Sequence, residues 1–346
     1  MIITMLGTSG SGKTTYMAAM GHKYYLNDVN GYKLQSANNE YKNITYINRV
    51  LTIPANLLYN KRVFPDGTGA EISVLELNLW GKKWNNYGVP EPIININFID
   101  YPGIYIDQLA VGNKSSENEQ VLSNILLSDV VIVFVDATVL KSCDEYSLQY
   151  RIGATSILPL LTKAATRQSL NIVFMITKCD ASIIDINNDI ELLKSKVRKA
   201  YSSFLYYNNV SCCFIPVGAI GFGAVSTANT SLGAISNAIR ADVPIKPYNI
   251  ASSFAKAILF CLERNKQLLE YKRNETDRMR KEANNTLHSD SEIISLIKNS
   301  IDILFNDSKT REKIIKATKE VERLSNEVIR LESYKSGLEA IARMED

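Results

Sequence analysis

The chain has 346 residues, of which 46% are hydrophobic and 22% charged, and its formal net charge is +3 at pH 7. This length fits one large domain, or one domain with an appendage, and the balanced charge does not demand nucleic acid or an anionic membrane as a partner. No apolar run reaches the roughly 18 residues of a membrane-spanning helix. The five cysteines, an odd number, are expected to be free thiols, so we expect a soluble, cytoplasmic protein.

An apolar strand and a glycine-rich loop open the chain. Residues 2–6 predict a buried strand, and G-T-S-G-S-G-K-T follows directly at residues 7–14. This is the phosphate-binding pattern G-x-x-x-x-G-K-[ST], whose backbone N–H groups turn towards a triphosphate at the start of a helix. Its lysine is expected to reach the β- and γ-phosphates, and its threonine hydroxyl to bind Mg²⁺. The predicted nucleotide contacts in this stretch are Gly7, Ser9, Gly10, Ser11, Gly12, Lys13, Thr14 and Thr15.

A long segment rich in asparagine and tyrosine, residues 23–64, follows the first helix. Segments of this kind often pack locally, so we expect a polar excursion with some tyrosines facing the core. A surface for a partner is the alternative.

Strand-like and helix-like patterns alternate up to about residue 250, which predicts an α/β sheet with crossover helices. Two alternating runs are expected to form a hairpin at a sheet edge, and three continuous apolar runs predict central parallel strands. The hairpin runs are 71–80 and 93–99, and the parallel strands are 130–135, 172–176 and 210–217. Predicted helices cover 119–127, 146–165 and 189–207, and 218–247 is predicted to be a loop with a short helix at most.

The character of the chain changes near residue 249, after which proline is absent. An apolar face at helical spacing predicts a final domain helix over the sheet, and a second helical pattern lies at 293–304. A heptad seam follows, which predicts an intramolecular helical hairpin or a dimer contact. The seam is Ile314, Ala317, Val321, Leu324, Val328, Leu331 and Leu338, broken at Lys335. We therefore expect a nucleotide-binding domain at 1–268 and a helical extension at 269–346.

The sequence D-Y-P-G at residues 100–103 ends the second strand of the hairpin. Asp100 in this position can hold Mg²⁺ through water, and the N–H group of Gly103 can contact a γ-phosphate. Taken alone, an ordinary strand-ending turn is the alternative.

The sequence T-K-C-D closes the predicted strand at 172–176. With the phosphate loop and the D-Y-P-G motif in the same order, it makes the chain resemble the Ras-like, translation-factor-related class of P-loop GTPases. The resemblance covers residues 1 to about 265 and implies a P-loop GTPase fold that binds GTP or GDP with Mg²⁺. In that class Asp180 would accept two hydrogen bonds from guanine that adenine cannot supply, and Lys178 would lie along the base plane. Thr177 stands where asparagine is commoner.

The resemblance implies roles elsewhere too. The turn at Gly218 and Ala219 would contact guanine O6 through its backbone, with glycine where serine is usual. Thr68 would be the switch threonine ordered by Mg²⁺ and the γ-phosphate, with an ordinary Asp-Gly turn as the alternative. The predicted catalytic residues are then Lys13, Thr68 and Gly103, and the predicted metal ligands are Thr14, Thr68 and Asp100. Several details are similar to a bacterial, double-GTPase-like branch found in prophage and conflict-system contexts.

Hydrolysis is expected to be slow. Ile104 follows D-x-x-G where Ras has its water-orienting glutamine, so water would be placed by Asp107, Gln108 or the Thr68 backbone, or a partner would supply the missing group. The expected function is a GTP-dependent switch, stimulated by self-association or by a protein partner through the switch regions or the helical arm. The alternatives are a P-loop ATPase or kinase, and an adaptor that keeps nucleotide only as a folding element.

Overall fold

The computed structural model describes residues 1–67, 71–81, 92–109, 115–229, 235–288 and 308–344. The chain divides into two compact units, one formed by Met1–Cys261 with Tyr334–Asp346 and the other by Leu262–Ser333. The expected domain boundary at residue 268 stays a prediction. No described helix is long and apolar enough to cross a membrane.

A seven-stranded sheet in the order β2-β3-β4-β1-β5-β6-β7 forms the centre of the first unit. Its strands are β1 (Ile2–Leu6), β2 (Lys33–Ser36), β3 (Ser73–Trp80), β4 (Ile94–Asp100), β5 (Val130–Asp136), β6 (Leu170–Thr177) and β7 (Val210–Pro216). β1 pairs in parallel with β4 and β5, and β6 and β7 continue the parallel part. β2 and β3 are antiparallel additions. Every residue of β5 and β6 is buried, as expected of apolar strands covered on both faces.

Helices flank the sheet and also follow it. They are α1 (Lys13–Met20), α2 (Tyr41–Ile47), α3 (Ile53–Tyr59), α4 (Gly103–Leu109), α5 (Ser115–Leu127), α6 (Ala137–Ser142), α7 (Glu145–Arg151), α8 (Ala154–Ala165), α9 (Ile186–Ala200), α10 (Ser202–Leu205), α11 (Ile250–His288) and α12 (Ser308–Ala342). Side chains of α5, α8 and α9 form one core with the sheet, as Ile125, Leu161 and Val197 illustrate. On the start of α11, Phe254 stacks on Phe98 of β4 with ring centroids 6.2 Å apart. The predicted α/β P-loop fold with a C-terminal helical region is thus confirmed.

Three local predictions are wrong. The hairpin of β3 and β4 forms as expected, but β2 covers its outer side and is the edge strand. The segment predicted to be a loop at 218–247 contains an antiparallel pair, β8 (Val225–Asn229) and β9 (Ile235–Ile239). The helix predicted at 146–165 is interrupted at Gly153, which separates α7 from α8. Gly153 has a φ of +72°, a left-handed conformation that is costly for residues other than glycine and that an α-helix cannot contain.

The segment at 23–64 is mostly regular structure rather than an irregular excursion. A π-helical turn, Gly21–Leu26, extends α1, and another, Asn48–Thr52, joins α2 to α3. The prediction of core-facing tyrosines is confirmed, since Tyr24 and Tyr32 are both buried. This segment therefore supplies a strand to the sheet and helices to its flank.

The second unit is an antiparallel pairing of α11 with α12. The Asn265 side chain donates to a carboxylate oxygen of Glu327 at 3.2 Å. Further along α11, Nζ of Lys272 lies 3.7 Å from Oε2 of Glu320 in α12. Leu324, Val328 and Leu331 of the heptad seam are buried. The seam thus forms an intramolecular hairpin, while the helical pattern predicted at 293–304 lies outside the described residues.

Candidate functional site

A cavity of about 860 Å³ lies beyond the carboxyl end of β1. β1 is flanked by β4 on one side and β5 on the other, so the cavity lies where the strand order reverses, the usual place for ligands in such sheets. Its lining combines segments far apart in the chain. They include 8–16, 64–67, Gly103, Ile104, Thr138, Thr177, Lys178, 180–183, Val217, Ala219, Ile220 and Val225.

The phosphate loop has the backbone that an anion cradle requires. Gly10 and Gly12 have φ values of +73° and +87°, which glycine adopts without strain. Gly12 is the N-cap of α1, and no side chain among the described residues caps the helix there. The first N–H groups of a helix have no partner within it, so those of α1 are placed to bind a phosphate. An added Cβ at Gly12 would lie 3.1 Å from Thr177, which leaves little room for a side chain.

Lys13 is held over this loop. It is only 6% exposed, and its Nζ donates to the carbonyl oxygen of Gly7 at 2.7 Å. Burial lowers the pKa of Lys13, whereas the carboxylates of Asp100 and Asp107 act in the opposite direction. A phosphate at this position would supply the negative charge that a buried ammonium needs.

The start of α4 lies directly on the phosphate loop. An added Cβ at Gly103 would lie 2.4 Å from both N and Cα of Ser9, so only glycine permits this approach. The Ser9 N–H group donates to Oδ2 of Asp107 at 3.1 Å. Ile104 between them is 51% exposed and lines the cavity. Asp107 and Ile104, the two residues that bear on the expected hydrolysis, therefore both lie beside the phosphate loop.

The residues predicted to hold Mg²⁺ are partly described. Thr14 lines the cavity, and Asp100, at the end of β4, pairs in register with Met5 just before the loop. Across the described segments no group of three or more His, Cys, Asp or Glu side chains could hold a metal. Mg²⁺ prefers oxygen ligands and usually binds through one or two protein groups plus phosphates, so this hydroxyl and carboxylate fit a nucleotide-borne ion. Thr68 lies outside the described residues.

At the other end of the cavity, the T-K-C-D motif joins three elements. Oγ1 of Thr177 lies 2.5 Å from the carbonyl oxygen of Ser11, so the end of β6 is tied to the phosphate loop. Lys178 has a φ of +58°, uncommon for a residue with a side chain. Its Nζ lies 2.5 Å from Oδ2 of Asp136 at the end of β5. Asp136 is the N-cap of α6, and its Oδ1 accepts from the Thr138 N–H group in the first turn of that helix, so this aspartate orients the lysine.

Asp180 is buried in the wall of the cavity and is 6% exposed. Its Oδ2 accepts hydrogen bonds from the N–H groups of Ile220 and Gly221, both at 2.8 Å. Burial raises the pKa of Asp180, and these two backbone bonds lower it. An added Cβ at Gly218 would lie 2.7 Å from Cβ and Cγ of Asp180. Glycine at this position is therefore what lets the carboxylate pack against the turn.

The turn that follows β7 leaves one donor for a ligand. The Gly218 carbonyl accepts the Tyr248 N–H group at 2.6 Å. In a trans peptide the next N–H group points the opposite way, so that of Ala219 points away from Tyr248. Within the described part of the chain this N–H group has no hydrogen-bond partner, and Ala219 lines the cavity.

Most predicted site residues therefore meet in one cavity. Gly7, Gly218 and Asp100 do not line it, but the first two support Lys13 and Asp180 from behind. Sequence reasoning missed Asp136, although an aspartate that ends a buried parallel strand, as Asp100 also does, is a usable signal. The roles of all these residues towards a ligand stay predictions.

No protein-family model matches the chain, and no curated protein matches it. Among solved structures it is similar to the signal recognition particle receptor SRb-GTP/SRX complex from Chaetomium thermophilum, at 18% identity and a TM-score of 0.37. It is also similar to the SRb-GDP-Mg structure from the same organism, at 13% identity and a TM-score of 0.31. Each match covers 64% of this chain and 92% of the other.

Proposed function

We propose that this chain is a P-loop GTP-binding protein that hydrolyses GTP slowly with Mg²⁺ and acts as a nucleotide-dependent switch. The observation that carries the proposal is the joint presence of Lys13 and Asp180 in one cavity. A phosphate cradle serves ATP and GTP equally. A buried carboxylate and the Ala219 N–H group, however, complement the N1–H, 2-amino and O6 groups of guanine, and adenine offers the opposite pattern at N1 and C6.

The switch would act through the segments that flank the phosphates. Phe64–Gly67 line the cavity and lead to Thr68, and Gly103 lies against Ser9. A γ-phosphate would hold Thr68 and Gly103, and its loss would release both segments. Thr14, Asp100 and Thr68 are the proposed ligands of Mg²⁺, and a bound ion would supply positive charge that neutralises phosphate charge.

Slow turnover follows from Ile104, which can neither orient nor deprotonate water. Asp107 is the proposed water-positioning group because its carboxylate already bonds the phosphate loop at Ser9, with Gln108 and the Thr68 backbone as the other candidates. A second copy of the chain or another protein would supply a stimulating group, worth about 10³–10⁵ in rate for GTPases. We also propose that the chain is a member of the bacterial, double-GTPase-like branch.

A titration with fluorescent GTP and ATP analogues, with and without Mg²⁺, tests nucleotide binding. We expect GTP to bind at least about 100-fold more tightly than ATP, because ATP leaves Asp180 unpaired, and Mg²⁺ to favour the triphosphate. Equal or tighter binding of ATP would support the ATPase alternative. Absence of binding by either nucleotide would overturn the proposal and both alternatives.

Phosphate release measured at increasing protein concentration tests the switch. We expect a low rate per molecule in dilute solution and a higher one as the protein associates, since Ile104 leaves the site without a water-orienting side chain at that position. Contaminating activity is subtracted with the Lys13→Met protein. A fast rate that does not depend on concentration would contradict slow intrinsic turnover.

A further inference from the structure

The turn after β7, residues 218–221, is contacted by the segment at 23–64 on the side away from Asp180. The Tyr59 hydroxyl, at the end of α3, donates a hydrogen bond to the carbonyl oxygen of Ala219 at 3.2 Å. This carbonyl belongs to the same peptide unit as the Ile220 N–H group, which donates to Oδ2 of Asp180 at 2.8 Å. Because the two groups of a trans peptide point in opposite directions, Tyr59 and Asp180 grip one peptide plane from its two sides.

Tyr59 is itself fixed in place. Its ring stacks on that of His22, with centroids 3.8 Å apart and an angle of 10° between the planes. Leu58 beside it packs with Ile220 in a small core. Arg62 donates to two backbone carbonyl oxygens downstream of the turn, at 2.5 Å and 2.7 Å. A rigid donor is therefore presented to the turn by a segment outside the recognised motifs.

We propose that Tyr59 is a positioning residue for base selection, which acts through the Ala219–Ile220 peptide on the carboxylate of Asp180. Aligned hydrogen bonds polarise one another, so the tyrosine hydroxyl strengthens the Ile220 N–H bond and keeps Asp180 at the distance that the 2-amino group of guanine requires. The inference rests on the proposed binding of GTP. The ligand it concerns is a purine nucleotide with an amino group at C2.

A cycle of one protein change and one ligand change tests it. Affinities of wild-type and Tyr59→Phe proteins are measured for GTP and for ITP, which lacks only the 2-amino group. The variant keeps the ring and its stacking on His22 but loses the hydroxyl. We expect it to weaken GTP more than ITP, so that the GTP-to-ITP affinity ratio falls by about threefold or more, as for coupled neighbouring groups.

Tyr24→Phe is the matched control. The Tyr24 hydroxyl also donates to a backbone carbonyl, that of Ala251 at 3.1 Å, but it does not bond the turn, and its loss should leave the ratio unchanged. Equal weakening of GTP and ITP by Tyr59→Phe, or no effect on either, would overturn the inference. If wild-type protein bound GTP no better than ATP, the proposed function would fail instead, and this result is read before any variant is made.

Discussion

Asparagine in place of Asp180 is expected to turn the protein from guanine towards xanthine nucleotides. In the wild type, Oδ2 accepts the N–H groups of Ile220 and Gly221. An amide nitrogen cannot accept a hydrogen bond, so the amide oxygen of the variant keeps these two bonds and its NH₂ group faces the base. That group complements the 2-oxo group of xanthine and opposes the 2-amino group of guanine. We expect GTP to bind about 100-fold more weakly, which corresponds to about 3 kcal/mol, and XTP to bind more tightly.

Competition of GTP, XTP and ATP against a fluorescent nucleotide measures this change. Asp185→Asn is the matched control, because Asp185 is the N-cap of α9 and asparagine caps a helix equally well. If Asp180→Asn lowered the affinities for GTP and XTP by the same factor, Asp180 would have no role in reading the base. Thermal unfolding of both variants shows whether the fold is intact.

Methionine in place of Lys13 is expected to lower strongly the affinity of the protein for nucleoside triphosphates. Methionine keeps the apolar stem, so the packing above the phosphate loop is largely retained, while the ammonium that contacts Gly7 O is lost. Removal of one partner of a buried charge pair costs about 2–5 kcal/mol, so we expect affinity for GTP to fall by about 100-fold or more. Guanosine, which has no phosphate, should be unaffected.

Calorimetric titration with GTP, GDP and guanosine gives the affinities. Lys141→Met is the control, because Lys141 forms a surface ion pair with Asp189 and does not line the cavity. We expect this variant to bind all three ligands as the wild type does. A Lys13→Met protein that retained GTP affinity would show that the glycine-rich loop is an ordinary turn. Equal losses for GTP and guanosine would indicate damage to the fold rather than a missing phosphate contact.

Local patterns were enough to place much of the sheet. β5 and β6 were predicted from apolar runs because strands covered on both faces need no polar alternation. β3 and β4 were predicted from alternation. β2 was missed because Lys33–Ser36 is a four-residue edge strand with only one buried side chain. In the chain, the helices α2 and α3 lie between β2 and its partner β3. The pairing of β8 with β9 was missed because glycine, serine and asparagine are typical of loops.

The candidate site, too, was predicted from local motifs only in part. The phosphate loop and Asp180 were predicted because each is a short motif at the end of a strand, and the ends of neighbouring parallel strands meet. Thr177 was predicted as a nucleotide contact within the T-K-C-D motif, and only the structure shows that its hydroxyl bonds the carbonyl oxygen of Ser11 in the phosphate loop. Tyr59 carried no motif at all, since its partner Ala219 is 160 positions away.

By itself, then, the order of residues predicted a glycine-rich phosphate loop, a parallel sheet and an aspartate placed to read a base, because all three depend on neighbours within a few positions. Only the tertiary structure decided which groups hold that aspartate and its lysine. Asp136, Gly218 and Tyr59 act across long separations in the chain, and such contacts exist only once the sheet and its flanking helices have packed.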